Sequence, residues 1–153
     1  TMVTKKVDLT THLEEDLPTV CGDGEQLEQV YLNIINNAVA AMEGGGILNI
    51  AAKQVGNMVR VSFSDTGHGI SQENMDKIFE PFFTTKGGGE GTGLGLSVSY
   101  AIVKKFGGDI KVESQTEKEG KTSGTTFTVL LPVAKNTECD PVVAKNREGG
   151  ENA

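Results

Sequence analysis

The chain has 153 residues, of which 37% are hydrophobic, and carries a formal net charge of −7. This length suits a single domain with a sizeable core, and the acidic balance argues against non-specific nucleic-acid binding, which requires a basic surface. No apolar run approaches the roughly 18–20 residues of a membrane span, and no signal segment opens the chain. We therefore expect a cytoplasmic domain that contacts neither nucleic acid nor membrane. Any membrane anchor of a longer parent protein is expected to lie elsewhere.

The predicted elements, in chain order, are a strand at 7–13, a helix at 24–42, strands at 46–53 and 58–64, a short helix near 72–79, a helix at 94–106, and strands at 109–114 and 125–131. Asp23 suits the N-cap of the first long helix, and Gly107–Gly108 suits the end of the second. The order β-α-β-β-α-β-β predicts an α+β fold, a two-layer α/β sandwich with a mixed sheet and helices on one face. We expect this domain to span 1–133 and the polar segment 134–153 to be a disordered tail.

A glycine-rich loop is the strongest chemical signal in the sequence. It runs from Gly87 directly into the helix predicted from Leu94, and the free N–H groups and dipole of a helix N-terminus favour an anion. Lys86 precedes the loop and adds a cation suited to a terminal phosphate. A flexible linker would also be rich in glycine, but linkers do not usually continue into an amphipathic helix. The loop lacks the Gly-Lys-Ser/Thr of the Walker pattern and fits a dinucleotide fingerprint poorly.

Two polar segments precede this loop. Asn33 and Asn37 lie one turn apart on a predicted helix, and carboxamides can offer oxygen to a hard cation or N–H to phosphate. A solvated helix face explains an isolated asparagine pair equally simply. Asp65 comes at the end of the strand predicted at 58–64, directly after its last residue, and is followed by Gly67 and Gly69. Its carboxylate could therefore accept a hydrogen bond from an adenine amino group. A capped turn is the alternative explanation.

The segment 78–86 joins these features, and four of its nine residues are large and apolar. These side chains either fill the core or anchor a mobile lid that closes over a ligand.

Taken in this order, the four segments resemble the N, G1, F and G2 boxes of the catalytic domain of sensor histidine kinases, within the ATPase/kinase superfamily shared with gyrase B, HSP90 and MutL. The resemblance covers roughly residues 7–132 and implies a Bergerat-type ATP-binding fold with a mostly antiparallel sheet and a flexible ATP lid. It is carried by Asn33-x3-Asn37-Ala38, Asp65-x-Gly67-x-Gly69-Ile70, Pro81-Phe82-Phe83-Thr84-Thr85-Lys86 and Gly91-Thr92-Gly93-Leu94-Gly95-Leu96. Ala40, where many members carry Lys or Arg, looks more like the nitrogen-regulation sensor branch.

The resemblance also implies roles for individual residues around bound ATP and Mg2+. Asn37 would ligate the metal, with Asn33 supporting phosphate or metal, and Asp65 would accept from the adenine amino group. Asn33 and Lys86 are the candidates for a catalytic contribution. The remaining expected nucleotide contacts are Gly67, Gly69 and Ile70 at the adenine, Thr125 in an adenine-side water network, and Gly91, Thr92, Gly93, Leu94, Gly95 and Leu96 around the triphosphate.

Asn33 also bears on the reaction, since gyrase-like, HSP90-like and MutL-like members carry a water-activating glutamate at the matching position. A neutral amide is a poor general base, so the resemblance implies transfer of the γ-phosphate to a docked nucleophile. Neither His12 nor His68 is followed by an acidic residue. The acceptor histidine is therefore expected on a separate dimerisation domain, with a response regulator downstream.

The strand and helix that usually precede residue 7 in this family are expected to lie outside the chain. Two alternatives stay open at this stage. An anti-sigma-factor serine kinase has the same fold but usually carries glutamate where Asn33 stands. The intact Asn37, Asp65 and lid glycines argue against the other alternative, a nucleotide-sensing binding module with no catalysis.

Overall fold

The computed structural model describes residues 6–81, 95–116 and 122–134. The elements within these residues are β1 (Val7–Leu13), α1 (Gly24–Ala41), β2 (Gly46–Val55), β3 (Met58–Asp65), α2 (Gln72–Met75), α3 (Gly95–Lys105), β4 (Asp109–Gln115) and β5 (Gly124–Pro132). The strands form one sheet in the order β1-β2-β3-β5-β4, in which β1 and β2 are parallel and the other neighbours are antiparallel. This confirms the predicted α+β fold with a mixed, mostly antiparallel sheet.

Helix α1 begins where the sequence predicts. The carboxylate of Asp23 accepts a hydrogen bond from the backbone N–H of Gln26 at 3.1 Å, which satisfies one of the donors left free at a helix N-terminus. Four side chains at three- and four-residue steps form its buried stripe, namely Leu27, Val30, Ile34 and Ala38. Burying a side chain of leucine or isoleucine size stabilises a fold by roughly 1.5–3 kcal/mol, so this stripe holds α1 on the sheet.

Helix α3 ends at the predicted glycine pair. Gly107 adopts φ +84°, and its N–H donates to the carbonyl of Lys104 while that of Gly108 donates to the carbonyl of Val103. These two bonds make a Schellman motif, which favours glycine at the left-handed position. A Cβ on Gly108 would come within 2.0 Å of the Leu130 carbonyl oxygen. The same glycine pair therefore ends the helix and lets β4 start close against β5.

The predicted helix near 72–79 is shorter in the structure. Helix α2 covers only Gln72–Met75, and beyond it the N–H of Lys77 donates to Asn74 and that of Glu80 to Lys77. Bonds over three residues form successive tight turns instead of continuing an α-helix. No helix in the described part of the chain is long and apolar enough to cross a membrane.

The core lies between one face of the sheet and the two long helices. Alternate residues of β5 are buried, as expected for a strand with one face turned inward. Thr125 and Asp65 are paired across β5 and β3 at the end of this buried row. The fold thereby places a carboxylate and a hydroxyl side by side at one edge of the core, where apolar packing gives way to polar groups.

Candidate functional site

Asp65 is the central polar group at this edge of the core. Only 7% of the residue is exposed. Its Oδ1 accepts hydrogen bonds from the backbone N–H of Gly67 at 2.8 Å and of Thr125 at 3.2 Å. Because both of these donors reach the same oxygen, Oδ2 is the atom left to accept from a ligand. The carboxylate is thus held rigidly with one oxygen committed to the fold.

Burial has an electrostatic consequence for this carboxyl. It raises the pKa of Asp65 above its ordinary value, because desolvation penalises the charged form. The two backbone N–H donors and the nearby His68 oppose this effect and lower the pKa. Ionisation of this carboxyl therefore costs free energy, which its two backbone donors partly offset.

The segment from Asp65 to Ile70, here called the glycine turn, packs against the end of α1. A Cβ on Gly67 would lie 2.5 Å from the carbonyl oxygen of Ala41, and the N–H of His68 donates to that same oxygen at 3.0 Å. Ala41 is one turn beyond Asn37 on α1. The glycine turn therefore packs one helical turn beyond Asn37 and two turns beyond Asn33, which lies near the middle of this helix.

Gly69 is required for a second close approach. Its φ is +80°, and an added Cβ would lie 2.1 Å from the carbonyl oxygen of Gln115. The resemblance gave Gly67 and Gly69 the task of making room for an adenine ring. In the described residues, glycine is also required at both positions by close contacts within the protein, which fix the path of the turn. The expected role at adenine stays a prediction.

Two serines that the sequence analysis did not single out hold the glycine turn from its other side. The hydroxyl oxygen of Ser114 accepts from the N–H of Ile70 at 2.7 Å, and the hydroxyl of Ser123 donates to the carbonyl of Gly67 at 2.6 Å. Ser114 occupies the third inward position of β4, after Ile110 and Val112. A polar residue that continues an apolar alternation is the sequence signal that could have identified it.

Asn33 connects α1 to α3. Its side-chain Nδ2 donates to the carbonyl oxygen of Gly95 and to the hydroxyl oxygen of Ser99, both at 3.1 Å. Gly95 is the first residue of α3, and Leu96 packs against the core. The structure therefore joins the predicted asparagine helix to the helix that follows the glycine-rich loop.

Several predicted site residues lie outside the described part of the chain, namely Lys86, Gly91, Thr92, Gly93 and Leu94. Their roles stay predictions. The two histidines are exposed, with His12 on β1 and His68 in the glycine turn.

The described residues offer few ligands at this site for a divalent cation. Among the residues that the structure describes, no cluster of three or more His, Cys, Asp or Glu side chains could hold a metal ion. The α1 ligands predicted for this site are the amide oxygens of Asn33 and Asn37, while the carboxylates of the helix, Glu25 and Glu28, lie in its N-terminal half. Such a set fits an ion that takes most of its oxygen ligands from a bound molecule and from water.

Comparison with known proteins gives consistent matches. Residues 22–135 match the family described as histidine kinase-, DNA gyrase B-, and HSP90-like ATPases. The chain is 43% identical over 129 residues to the sensor histidine kinase ZraS of Escherichia coli K12, a match that covers 84% of this chain and 26% of that protein. The chain thus spans about a quarter of the length of this relative.

Solved structures give the same picture. The catalytic domain of the histidine kinase ThkA, in a nucleotide-free form, superposes with a TM-score of 0.71 at 32% identity, covering 84% of this chain and 82% of that one. Full-length ShkA in complex with AMPPNP superposes with a TM-score of 0.69 at 27% identity, covering 84% of this chain and 26% of that one. These matches confirm the resemblance to histidine kinase catalytic domains, while the narrower likeness to nitrogen-regulation sensors stays a prediction.

Proposed function

Because the chain belongs to the histidine kinase-, DNA gyrase B-, and HSP90-like ATPase family, we propose that it binds ATP with Mg2+ and donates the γ-phosphate to a histidine. The acceptor would lie on a separate dimerisation domain, and a response regulator would receive the phosphoryl group afterwards. A relative that is 43% identical to this chain over 129 residues is a sensor histidine kinase, which supports this reaction over other chemistry of the family.

The observation that carries the proposal is the fixed carboxylate of Asp65. Its Oδ1 is committed to two backbone donors, so Oδ2 can accept a hydrogen bond from an exocyclic amino group. Adenine offers such a donor at its six position, whereas guanine has a carbonyl oxygen there. The carboxylate would repel that oxygen, so the arrangement favours ATP over GTP.

The amides of α1 support a role for Mg2+. This cation prefers oxygen ligands in octahedral geometry and is usually held by one or two protein groups together with substrate phosphates and water. When bound, it would neutralise charge on the phosphates. Asn37 and Asn33 are the described residues whose amide oxygens would reach it, and no richer ligand cluster exists in the described ranges. The proposal therefore predicts a metal site completed by the nucleotide.

The chemistry of Asn33 favours phosphoryl transfer over hydrolysis. Both hydrogens of its amide nitrogen have acceptors, at Gly95 and Ser99, and an amide oxygen is too weak a base to activate water. Transfer to a positioned nucleophile needs mainly orientation and charge neutralisation. A site of this kind can therefore hold ATP without consuming it until an acceptor docks.

Two linked measurements test the proposal. Calorimetry with ADP and Mg2+ should show binding that Asp65→Asn greatly weakens. Radiolabelled ATP should then leave the isolated chain unlabelled but label an added histidine-bearing dimerisation domain, giving an acid-labile, base-stable product. Acid-stable label would indicate a serine kinase, and tight binding without transfer to any such domain would indicate a non-catalytic module. An absence of binding heat would end the proposal altogether.

A further inference from the structure

Ser99 is a buried polar residue that has no role in the proposed reaction as described above. It lies in the second turn of α3 and is 0% exposed. Its hydroxyl oxygen accepts a hydrogen bond from Nδ2 of Asn33, across 66 residues of sequence. A buried hydroxyl is tolerated when it is hydrogen-bonded, and here its partner is a candidate site residue.

The contacts of Asn33 settle which end of its amide faces α3. The carbonyl oxygen of Gly95 lies 3.1 Å from Nδ2 and can only accept, so the nitrogen must be the atom on that side. One hydrogen goes to Gly95 and the other to Ser99. Both donors of the side chain are then used, and Oδ1 is its remaining polar atom.

We propose that Ser99 is a positioning residue that, with the carbonyl of Gly95, fixes the amide of Asn33 so that it offers oxygen, and not N–H, to the bound metal–nucleotide. This inference rests on the proposed function, since it concerns how that site holds its ligand. Asn33 in this orientation supports the cation directly or through water. It does not act as a donor to phosphate, one of the two roles that the sequence analysis left open.

Each of the two contacts has a distinct part in this arrangement. The Gly95 carbonyl decides which end of the amide turns toward α3. The Ser99 hydroxyl takes the second hydrogen and so fixes the plane of the amide. Without it, one part-buried hydrogen would lack its acceptor, and the amide would rotate about its remaining bond. The position of Oδ1, and with it the support of the cation, would become less defined.

The test separates binding with metal from binding without it. ADP affinity is measured by calorimetry in excess Mg2+ and again in excess chelator, for the unaltered chain and for Ser99→Ala. We expect the variant to lose about three- to tenfold in affinity with Mg2+, the equivalent of one hydrogen bond. Its affinity in chelator should stay within about twofold. Ser99→Thr, which keeps the hydroxyl, should recover most of the Mg2+-dependent affinity.

Two controls exclude a nonspecific effect of the serine-to-alanine change and a loss of folding. Ser62→Ala makes the same chemical change on β3, away from Asn33, and should alter neither affinity. Circular dichroism melts check that each variant folds. If Ser99→Ala does not fold, Ser99→Cys carries the test, since a thiol is only a weak hydrogen-bond acceptor and should lose the metal-dependent affinity that Ser99→Thr retains.

The outcomes distinguish the inference from the function it rests on. Unchanged Mg2+ dependence in a folded Ser99→Ala chain overturns the inference while ADP binding stands. An equal loss with and without Mg2+ also overturns it, because Ser99 would then be only structural. If the unaltered chain binds no ADP, the proposed function itself has failed.

Discussion

The hydroxyl oxygens of Ser114 and Thr125 lie 2.6 Å apart, which joins the end of β4 to the start of β5 beside the candidate site. Ser114 also lies 3.0 Å from the carbonyl oxygen of Gly124, and that oxygen can only accept. When Ser114 donates its single hydrogen to Gly124, the hydrogen of Thr125 must point to Ser114. Thr125 then faces the site as an acceptor, which suits a water or an amino group.

Ser114→Ala should therefore loosen the glycine turn. The change removes the acceptor for the N–H of Ile70 from a part-buried hydrogen bond, and such a bond contributes about 0.5–1.5 kcal/mol. We expect a loss of that size in the free energy of unfolding, measured by urea titration, together with weaker ADP binding. A loss below roughly 0.5 kcal/mol, the range of ordinary surface changes, would contradict this account of Ser114.

Asp65→Asn should weaken nucleotide binding without damaging the fold. The amide oxygen can still accept from Gly67 and Thr125, as Oδ1 does now. The NH2 group would replace Oδ2 and meet the adenine amino group donor to donor. Loss of a hydrogen bond to a charged group is worth about 1.5–3 kcal/mol, so affinity should fall roughly 10- to 100-fold. A calorimetric affinity close to that of the unaltered chain would show that Asp65 does not recognise the adenine.

The raised pKa of Asp65 predicts how nucleotide binding depends on pH. Because its folded-state pKa lies above the ordinary value of 3.8, the carboxylate is protonated, and the acceptor lost, at a higher pH than for an exposed aspartate. ADP affinity should fall as the pH is lowered through this raised pKa. Subtracting the profile of Asp65→Asn removes the titration of the nucleotide itself. Parallel profiles of the two proteins would refute the assignment.

The same shift predicts the opposite trend for stability of the empty domain. A group whose pKa is raised on folding stabilises the fold when protonated, and this contribution is lost as pH rises through the folded-state pKa. The contribution of Asp65 to the free energy of unfolding should thus be greatest in acid and disappear toward neutral pH. Urea titrations at several pH values, compared with Asp65→Asn, measure it. A difference that grows in favour of the unaltered chain as pH rises would have the wrong sign.

Gly69→Ala should destabilise the fold strongly. The new Cβ would lie 2.1 Å from a backbone oxygen at a residue with φ +80°, so both a clash and backbone strain result. We expect a loss of at least about 2 kcal/mol in the free energy of unfolding. Gly44→Ala is the matched control, because a Cβ there meets nothing within 4 Å. Equal stability of the two variants would mean that the glycine turn is not fixed by Gln115.

Local features of the sequence determined the elements. A side chain that caps a helix acts within three residues, as Asp23 does on Gln26, and a glycine that ends one acts within five, as Gly108 does on Val103. The periodicity of apolar residues identified both long helices and all the strands in the described ranges. It failed at α2, where no long apolar stripe exists and tight turns replace the predicted helix. Asp65 and Gly69 were identified because the residue types and their spacing already limit the backbone conformations and the ligands that this turn can accommodate.

Only the tertiary structure decided how these elements fix the site. The bonds from Asn33 to Ser99, from Ile70 to Ser114 and from Ser123 to Gly67 join residues 66, 44 and 56 positions apart. A serine is an ordinary residue in a strand or helix, and its role depends on the register of β4 against β5 and on the packing of α1 against α3. Those relations arise from the whole core at once, so no local pattern encodes which hydroxyl will meet which amide.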